Sequence, residues 1–233
     1  MSSYDCGKGS IRDWKFLART RDGQAIGIRL ATMRRRTETR ADHPNSSIEE
    51  SDEALIALVA KRDRSALTTL YRRYHGAILR FVQRLTGDVE SANEAVNDVM
   101  LVVWDRAPSF AGKSKVSTWI MGIAYRKAMK LSSRRQRWLT RFKAADWTEV
   151  IERSGEIEGL TKELIERDLM YRALQRLPAK QRAVVELTYF FGYSYEEIAE
   201  IVDCPTNTVK TRMFHARAKL KELLPQLGHG VRD

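Results

Sequence analysis

Tyr193-Ser194-Tyr195-Glu196-Glu197-Ile198-Ala199-Glu200-Ile201-Val202-Asp203-Cys204-Pro205-Thr206-Asn207-Thr208-Val209-Lys210-Thr211-Arg212 is the stretch on which the reading of the fold turns. Ser194 stands three residues before Glu197. That is the spacing of a capping box, in which hydroxyl and carboxylate each satisfy a backbone N–H at a helix start. A short helix over residues 195–202 follows, with Ile198, Ala199 and Val202 inward. Asp203-Cys204-Pro205 turns the chain, and Asp tolerates the left-handed conformation such a turn needs. Thr206 is placed to cap a second helix reaching about Leu224. Val209, Met213, Ala216, Leu220 and Leu223 recur there at spacings of 4, 3, 4 and 3 and mark its buried face. A short helix, a tight turn and a longer basic helix make a helix-turn-helix, with Ala199 small enough to let the helices cross closely. Thr206, Asn207, Thr208, Lys210, Thr211, Arg212 and His215 then lie near the exposed start of the second helix, where such helices approach base edges in the major groove. Lys and Arg bond guanine and Asn bonds adenine. Arg217, Lys219 and Lys221 lie further along and suit phosphates. An ordinary helical hairpin with a basic surface is the alternative.

Working back from this stretch, Pro178 stands at a helix start and Gly192 at that helix's end. Between Asp146 and Asp168 eight acidic residues oppose three basic ones, with Gly155 and Gly159 among them, and helix returns near Thr161. This segment reads as a linker that holds itself off nucleic acid. Before it, residues 53–85 show helical spacing in two pieces. Leu55, Ile56, Leu58 and Val59 form a short apolar face, and Leu67, Leu70, Tyr71, Tyr74, Ile78, Val82 and Leu85 a longer one. Asp63 and Ser65 interrupt the two, and Gly87 stops the second. Asp88 caps a helix over about Val89 to Arg106, with Ala92, Ala95, Val96, Val99, Val103 and Trp104 inward. Pro108 ends it. A loop to Val116 leads to a long helix capped by Ser117 or Thr118 and running to about Arg137. On that helix Lys127, Lys130, Arg134, Arg137 and Arg141 share one face. Like charges at this spacing repel unless an anion lies along them; a solvated face is the plainer reading.

The whole chain is basic, with 41 Lys and Arg against 30 Asp and Glu and a formal charge of +11. That balance points to a polyanionic partner, most simply nucleic acid. Cys6 and Cys204 are the cysteines, too far apart in sequence for a metal or disulfide motif, which fits a reducing cytoplasm. The longest apolar run, Val99 to Trp104, is six residues, far below a membrane span. The N-terminus lacks the apolar core of a signal peptide. Residues 1–47 hold ten Lys and Arg against five Asp and Glu without sustained periodicity, and read as disordered. Met33 is an alternative start, and folding is expected to begin near Ser51.

Three ordered segments of the C-terminal part carry a resemblance: Leu177 to Arg182, Tyr193 to Glu200 and Thr208 to Arg212. They are similar to region 4 of the extracytoplasmic-function (ECF) sigma factors of bacterial RNA polymerase. Ala66 to Tyr74, Ala92 to Val99, Ser117 to Ile120 and Ile123-Ala124 resemble region 2 of the same family. The resemblance implies an all-α fold of two small helical domains joined by a flexible acidic linker. The expected division is a basic extension (1–50), region 2 (51–140), linker (141–164), region 4 (165–226) and tail (227–233). Asn97 stands where the family usually has Gln. Arg126, Lys130, Ser133, Asn207 and His215 also depart from the common residues, so promoter preference cannot be borrowed from relatives.

The resemblance further implies a non-enzymatic initiation factor without cofactor or metal. Glu94, Asn97 and Asp98 would meet the clamp of the largest subunit of core RNA polymerase, and region 4 a flap of the second. The helix-turn-helix would bind the −35 element as duplex. Phe110, Lys113, Lys115, Tyr125, Arg126, Lys127, Lys130, Arg134 and Arg137 would handle the −10 element. There the loop from Phe110 to Ser117 captures an unstacked base, Lys113 and Lys115 hold phosphates and Tyr125 stacks. Trp119 faces Ile123 and is read as core, with a base contact as its alternative, and Phe110 has the same two readings. An anti-sigma protein is an implied partner, and no membrane insertion is expected. Two other readings stand beside this one. A helix-turn-helix regulator acting without polymerase would carry a ligand or phosphoacceptor domain, which residues 52–137 do not resemble. A nuclease would need clustered His or carboxylates, whereas His43, His75, His215 and His229 are scattered; Glu94 and Asp98 as a magnesium pair is the nearest approach.

Overall fold

The computed structural model describes residues 15–19, 25–29, 50–142 and 162–228. Most of the linker (143–161), the tail from 229 and Met33 lie outside the described residues. Eight α-helices carry the described fold: α1 Asp52–Ala60, α2 Arg64–Thr86, α3 Val89–Arg106, α4 Val116–Phe142, α5 Lys162–Gln175, α6 Ala179–Tyr189, α7 Tyr195–Val202 and α8 Thr206–Gly228. A 3-10 turn, Ala107–Ser109, follows α3.

Asp63, Gly87 and Asp88 act where the sequence places them. The Ser51 hydroxyl accepts from the Ala54 N–H at 3.1 Å, so α1 starts at the expected point. The Asp63 carboxylate accepts from the N–H groups of Ser65 and Ala66 at 2.7 and 3.2 Å. Gly87, at φ 70°, ends α2 in the left-handed conformation that glycine adopts at least cost. Asp88 then opens α3 by accepting from the Glu90 and Ser91 N–H groups. In α3 the buried stripe is Ala92, Ala95, Val96, Val99, Met100 and Val103. Trp104 is only half-buried, with the Arg62 guanidinium 5.2 Å from its ring. The start of α4 differs from expectation. It begins at Val116, before either expected cap, and the Trp119 N–H donates to the Lys115 carbonyl at 3.0 Å. Ser117 instead lies beside Tyr193.

Residues 15–19 and 25–29 also depart from expectation. Strands β1 (Lys15–Arg19) and β2 (Ala25–Arg29) pair antiparallel, with Phe16 opposite Ile28 and Ala18 opposite Ile26. Asp22-Gly23 between two runs of apolar residues is a strong hairpin signal, which the basic composition of the segment obscured. A lone hairpin is marginal in water, and β1 here lies against α8.

α1 to α4 form one helical unit around Leu55, Leu70, Ile78, Phe81, Val96 and Ile120. α5 to α8 form a second around Leu174, Leu187, Ile198, Val209 and Met213. The two units pack on each other, α4 against α7 most extensively and α6 against α2 and α4, so the buried apolar residues make one continuous cluster.

Candidate nucleic-acid interface

In the helix-turn-helix the Ser194 hydroxyl accepts from the Glu197 N–H at 3.2 Å, and Glu197 accepts from the Ser194 N–H at 2.9 Å. That box fixes the start of α7. Asp203 ends α7 with φ 51°, the left-handed geometry expected of it. α8 starts at Thr206 itself, one residue earlier than a Thr206 cap allows, and the Thr208 and Val209 N–H groups donate to the Pro205 carbonyl at 2.8 and 3.3 Å. It also continues past Leu224, through Pro225, to Gly228.

On α8 the buried face is Val209, Met213, Ala216, Leu220 and Leu223, as the spacing predicts. Asn207, Lys210, Thr211 and His215 are exposed, and Thr206, Thr208 and Arg212 half-buried. The Thr211 hydroxyl donates to the Asn207 carbonyl at 2.9 Å, which leaves its oxygen as an acceptor. Arg212 reaches inward, with one guanidinium nitrogen 3.6 Å from the Cys204 sulfur. Arg217 donates to the Tyr189 hydroxyl at 2.8 Å and Lys219 pairs with Glu222 at 2.9 Å, so both have partners within the protein. Phe214 was not anticipated: it is 69% exposed beside His215, their rings 5.6 Å apart. Its signal was an aromatic residue at a position the helical spacing assigns to the solvent side.

On α4, Arg126, Lys130, Arg134 and Arg137 are exposed along one side. Lys127 is half-buried and ion-paired with Asp98 of α3. The helix continues through position 141, but the Arg141 side chain lies outside the described residues. In the loop before α4, Lys113 is exposed and Phe110 half-buried, its ring 5.2 Å from that of Trp119. Lys115 bonds Glu197 of α7 at 2.8 Å. That contact holds the Lys115 ammonium above its ordinary pKa and, with the Ser194 N–H, holds the Glu197 carboxyl below its own.

Tyr125 departs from expectation. It is 7% exposed and lies beside Arg212. Burial raises its pKa, as does the neighbouring Cys204, against the opposing pull of Arg212. In this conformation no face of Tyr125 is open for a base to stack on, because the second unit covers it.

On α3, Glu94 and Asn97 are exposed, and Asn97 accepts a hydrogen bond from the Tyr71 hydroxyl at 3.4 Å. Asp98 is half-buried and held by Lys127, which makes it a poor magnesium ligand here. Leu101 follows at i+3 from Asp98 and i+4 from Asn97 and is 61% exposed, an apolar member of that face which the reading of polar residues alone passed over. Among the described residues no three His, Cys, Asp or Glu side chains are placed to hold a metal ion.

This two-unit arrangement has known counterparts. The chain matches the family descriptions Sigma-70 region 2 over residues 70–139 and Sigma-70, region 4 over residues 167–220. It is 32% identical over 183 residues to the ECF RNA polymerase sigma factor SigM of Mycobacterium tuberculosis, covering 78% of this chain and 89% of the relative. The chain belongs to the ECF family of RNA polymerase sigma factors. The ECF sigma-E factor of Escherichia coli is 30% identical over 179 residues, which cover 72% of this chain and 91% of that protein. The solved structure of CnrH in complex with the cytosolic domain of CnrY shares the fold. It has a TM-score of 0.55 and 21% identity, with 75% of this chain and 97% of that one covered. As a sigma factor, the protein directs transcription initiation by RNA polymerase at promoter DNA. No described helix of this sigma factor is long and apolar enough to cross a membrane.

Proposed function

We propose that this sigma factor reads a promoter at two places and docks on core polymerase through α3, without performing catalysis itself. α8 binds the −35 element as duplex, with Asn207, Lys210, Thr211 and His215 at base edges and Thr206, Thr208 and Arg212 at the rim. The observation that carries this reading is the exposed polar start of α8, set after a left-handed Asp203 turn and clear of the buried face. The −10 element is handled by Phe110, Lys113 and Lys115 in the loop, by Tyr125 once uncovered, and by the cations Arg126, Lys127, Lys130, Arg134 and Arg137 along α4.

Glu94, Asn97 and Asp98 meet a basic clamp surface of the largest polymerase subunit, helped by exposed Leu101. A flap of the second subunit takes region 4. The proposed divisions remain 1–50, 51–140, 141–164, 165–226 and 227–233, and the proposed location is the cytoplasm. An anti-sigma protein is a further proposed partner; CnrH is described in complex with CnrY, which supports the idea by likeness of fold. A regulator that acts without polymerase is disfavoured, because the match extends over region 2 as well as region 4. Run-off transcription with core polymerase on a promoter library tests the reading. A defined transcript set that depends on this chain is expected. A core enzyme that initiates no differently when the chain is added sinks it.

A further inference from the structure

One buried side chain of α8 stands apart from the rest of the core. Leu223 is 6% exposed, yet the continuous apolar cluster takes in Leu220 and Leu224 of the same helix and not Leu223. Among the described residues it is the one buried apolar side chain outside that cluster. Its cover therefore comes from elsewhere than the helical core. Besides α5, α6 and α7, the strand β1 lies against α8.

The register of the hairpin sorts its residues into two faces. Phe16 pairs with Ile28 and Ala18 with Ile26, so these four apolar residues share one face of the ladder. The other face takes Lys15 opposite Arg29, Leu17 opposite Gly27 and Arg19 opposite Ala25, and so holds every charge of both strands. Like charges directly opposite each other destabilise a strand pair. An anion laid along that face relieves the repulsion.

Such a hairpin is either a cover over the base-reading start of α8 or an arm beside it, and exposure decides between the two. With β1 in place Asn207, Lys210, Thr211 and His215 remain exposed, and Phe214 is 69% exposed. Position 223 lies about 20 Å beyond position 210 along the helix axis, at 1.5 Å per residue. The major groove is about 12 Å wide. An element mounted at Leu223 therefore meets sugar–phosphate backbone outside the groove that the start of α8 enters.

We propose that β1 and β2 form a DNA-binding wing on α8. Phe16, Ala18, Ile26 and Ile28 seat the hairpin over Leu223, and Lys15, Arg19 and Arg29 bond phosphates of the duplex flanking the −35 element. This inference rests on the reading of α8 as the −35 helix and adds a further cationic surface beside it. Phosphate contacts of this kind fix register and raise affinity without reading sequence.

Full-chain variants test it on two duplexes. One is a promoter recovered from the run-off library, bound by holoenzyme; the other is a short duplex of arbitrary sequence, bound by the chain alone. Lys15→Gln, Arg19→Gln and Arg29→Gln combined should make the salt slope shallower by about 2.7 on both, one step of about 0.9 for each lost contact. On the promoter, hydroxyl-radical footprinting should show a protected patch beside the −35 element that the triple variant loses while the element itself stays protected. Phe16→Gln should lose the same patch with all three cations present, because the hairpin leaves α8. Leu17→Gln, on the opposite face, should keep it. An unchanged salt slope in the triple variant overturns the wing. Retention of the patch by Phe16→Gln overturns the mounting on α8. A gain of promoter affinity in the triple variant makes the hairpin a cover and overturns the wing as well. A wild-type holoenzyme that protects no −35 element overturns the reading of α8, while the slope on the arbitrary duplex still decides whether the strands hold phosphate.

Discussion

Glu186 holds a carboxyl group where water scarcely reaches it: the residue is 1% exposed between α6 and α2. Burial raises its pKa to about 7, against the opposing pull of Arg84 and Arg182. Burial also lowers the pKa of Arg182, one turn earlier on α6, so the same site disfavours both charges. The sign of the linkage follows. In the folded protein Glu186 binds its proton more tightly than in the unfolded chain, so its contribution to stability is complete below the ordinary glutamate range. It is lost as pH rises through about 7. Urea unfolding should therefore show wild type losing a few kcal/mol from this group between pH 5 and 8, and Glu186→Gln should flatten that slope. An unchanged slope in the variant would place the pH dependence elsewhere. Asp203 offers a second test at this scale. At φ 51° its Cβ costs energy that glycine does not incur. Asp203→Gly should raise stability by about 0.5–1 kcal/mol and Asp203→Val should lower it, as measured by thermal unfolding.

At the scale of elements, three caps were legible because each is a local pattern. Asp63, Asp88 and the Ser194–Glu197 box bond backbone groups two or three residues away, and a sequence displays such neighbours directly. The buried face of α8 was legible for the same reason. What could not be read depends on residues far apart. Tyr125 looks like an accessible aromatic on a basic helix until Arg212, 87 positions later, is folded onto it. Ser117 looks like a cap until α4 is seen to start at Val116, with Tyr193 packed beside Ser117. Asp98 reads as one of three clamp-facing acceptors, yet Lys127 of α4 holds it. That pairing sharpens a prediction for α3. Asp98→Lys should weaken assembly with core polymerase by repelling a basic clamp and also by repelling Lys127. Leu101→Asp should weaken assembly while leaving Asp98–Lys127 intact. Leu101 is exposed, so its replacement should change the melting temperature little. Titration of labelled chain with core enzyme separates the effects; unimpaired assembly of Leu101→Asp would remove Leu101 from the interface.

For the whole molecule, the distribution of charge matters more than the total of +11. Lys113, Arg126, Lys130, Arg134, Arg137 and Lys210 are six exposed cations assigned to promoter contact, and Lys115 and Lys127 are engaged by Glu197 and Asp98. Each cation that neutralises a phosphate releases condensed counterions, so the logarithm of affinity falls with the logarithm of salt by about 0.9 per contact. Six contacts give a slope near −5, or roughly a thousandfold loss of this share of affinity between 50 and 200 mM salt. Individual residues should divide by role. Lys130→Ala should lower the slope of holoenzyme–promoter binding by about 1 on every promoter tested, since a phosphate contact carries no sequence information. Lys210→Ala should also weaken binding but relax the preference at one upstream base pair, by about 1–3 kcal/mol of discrimination. Binding isotherms across a salt series, on matched and upstream-substituted promoters, measure both quantities. A Lys210→Ala chain that loses affinity uniformly and keeps its base preference would reassign α8 to holding the backbone, and the source of sequence selection would then have to be sought on α4.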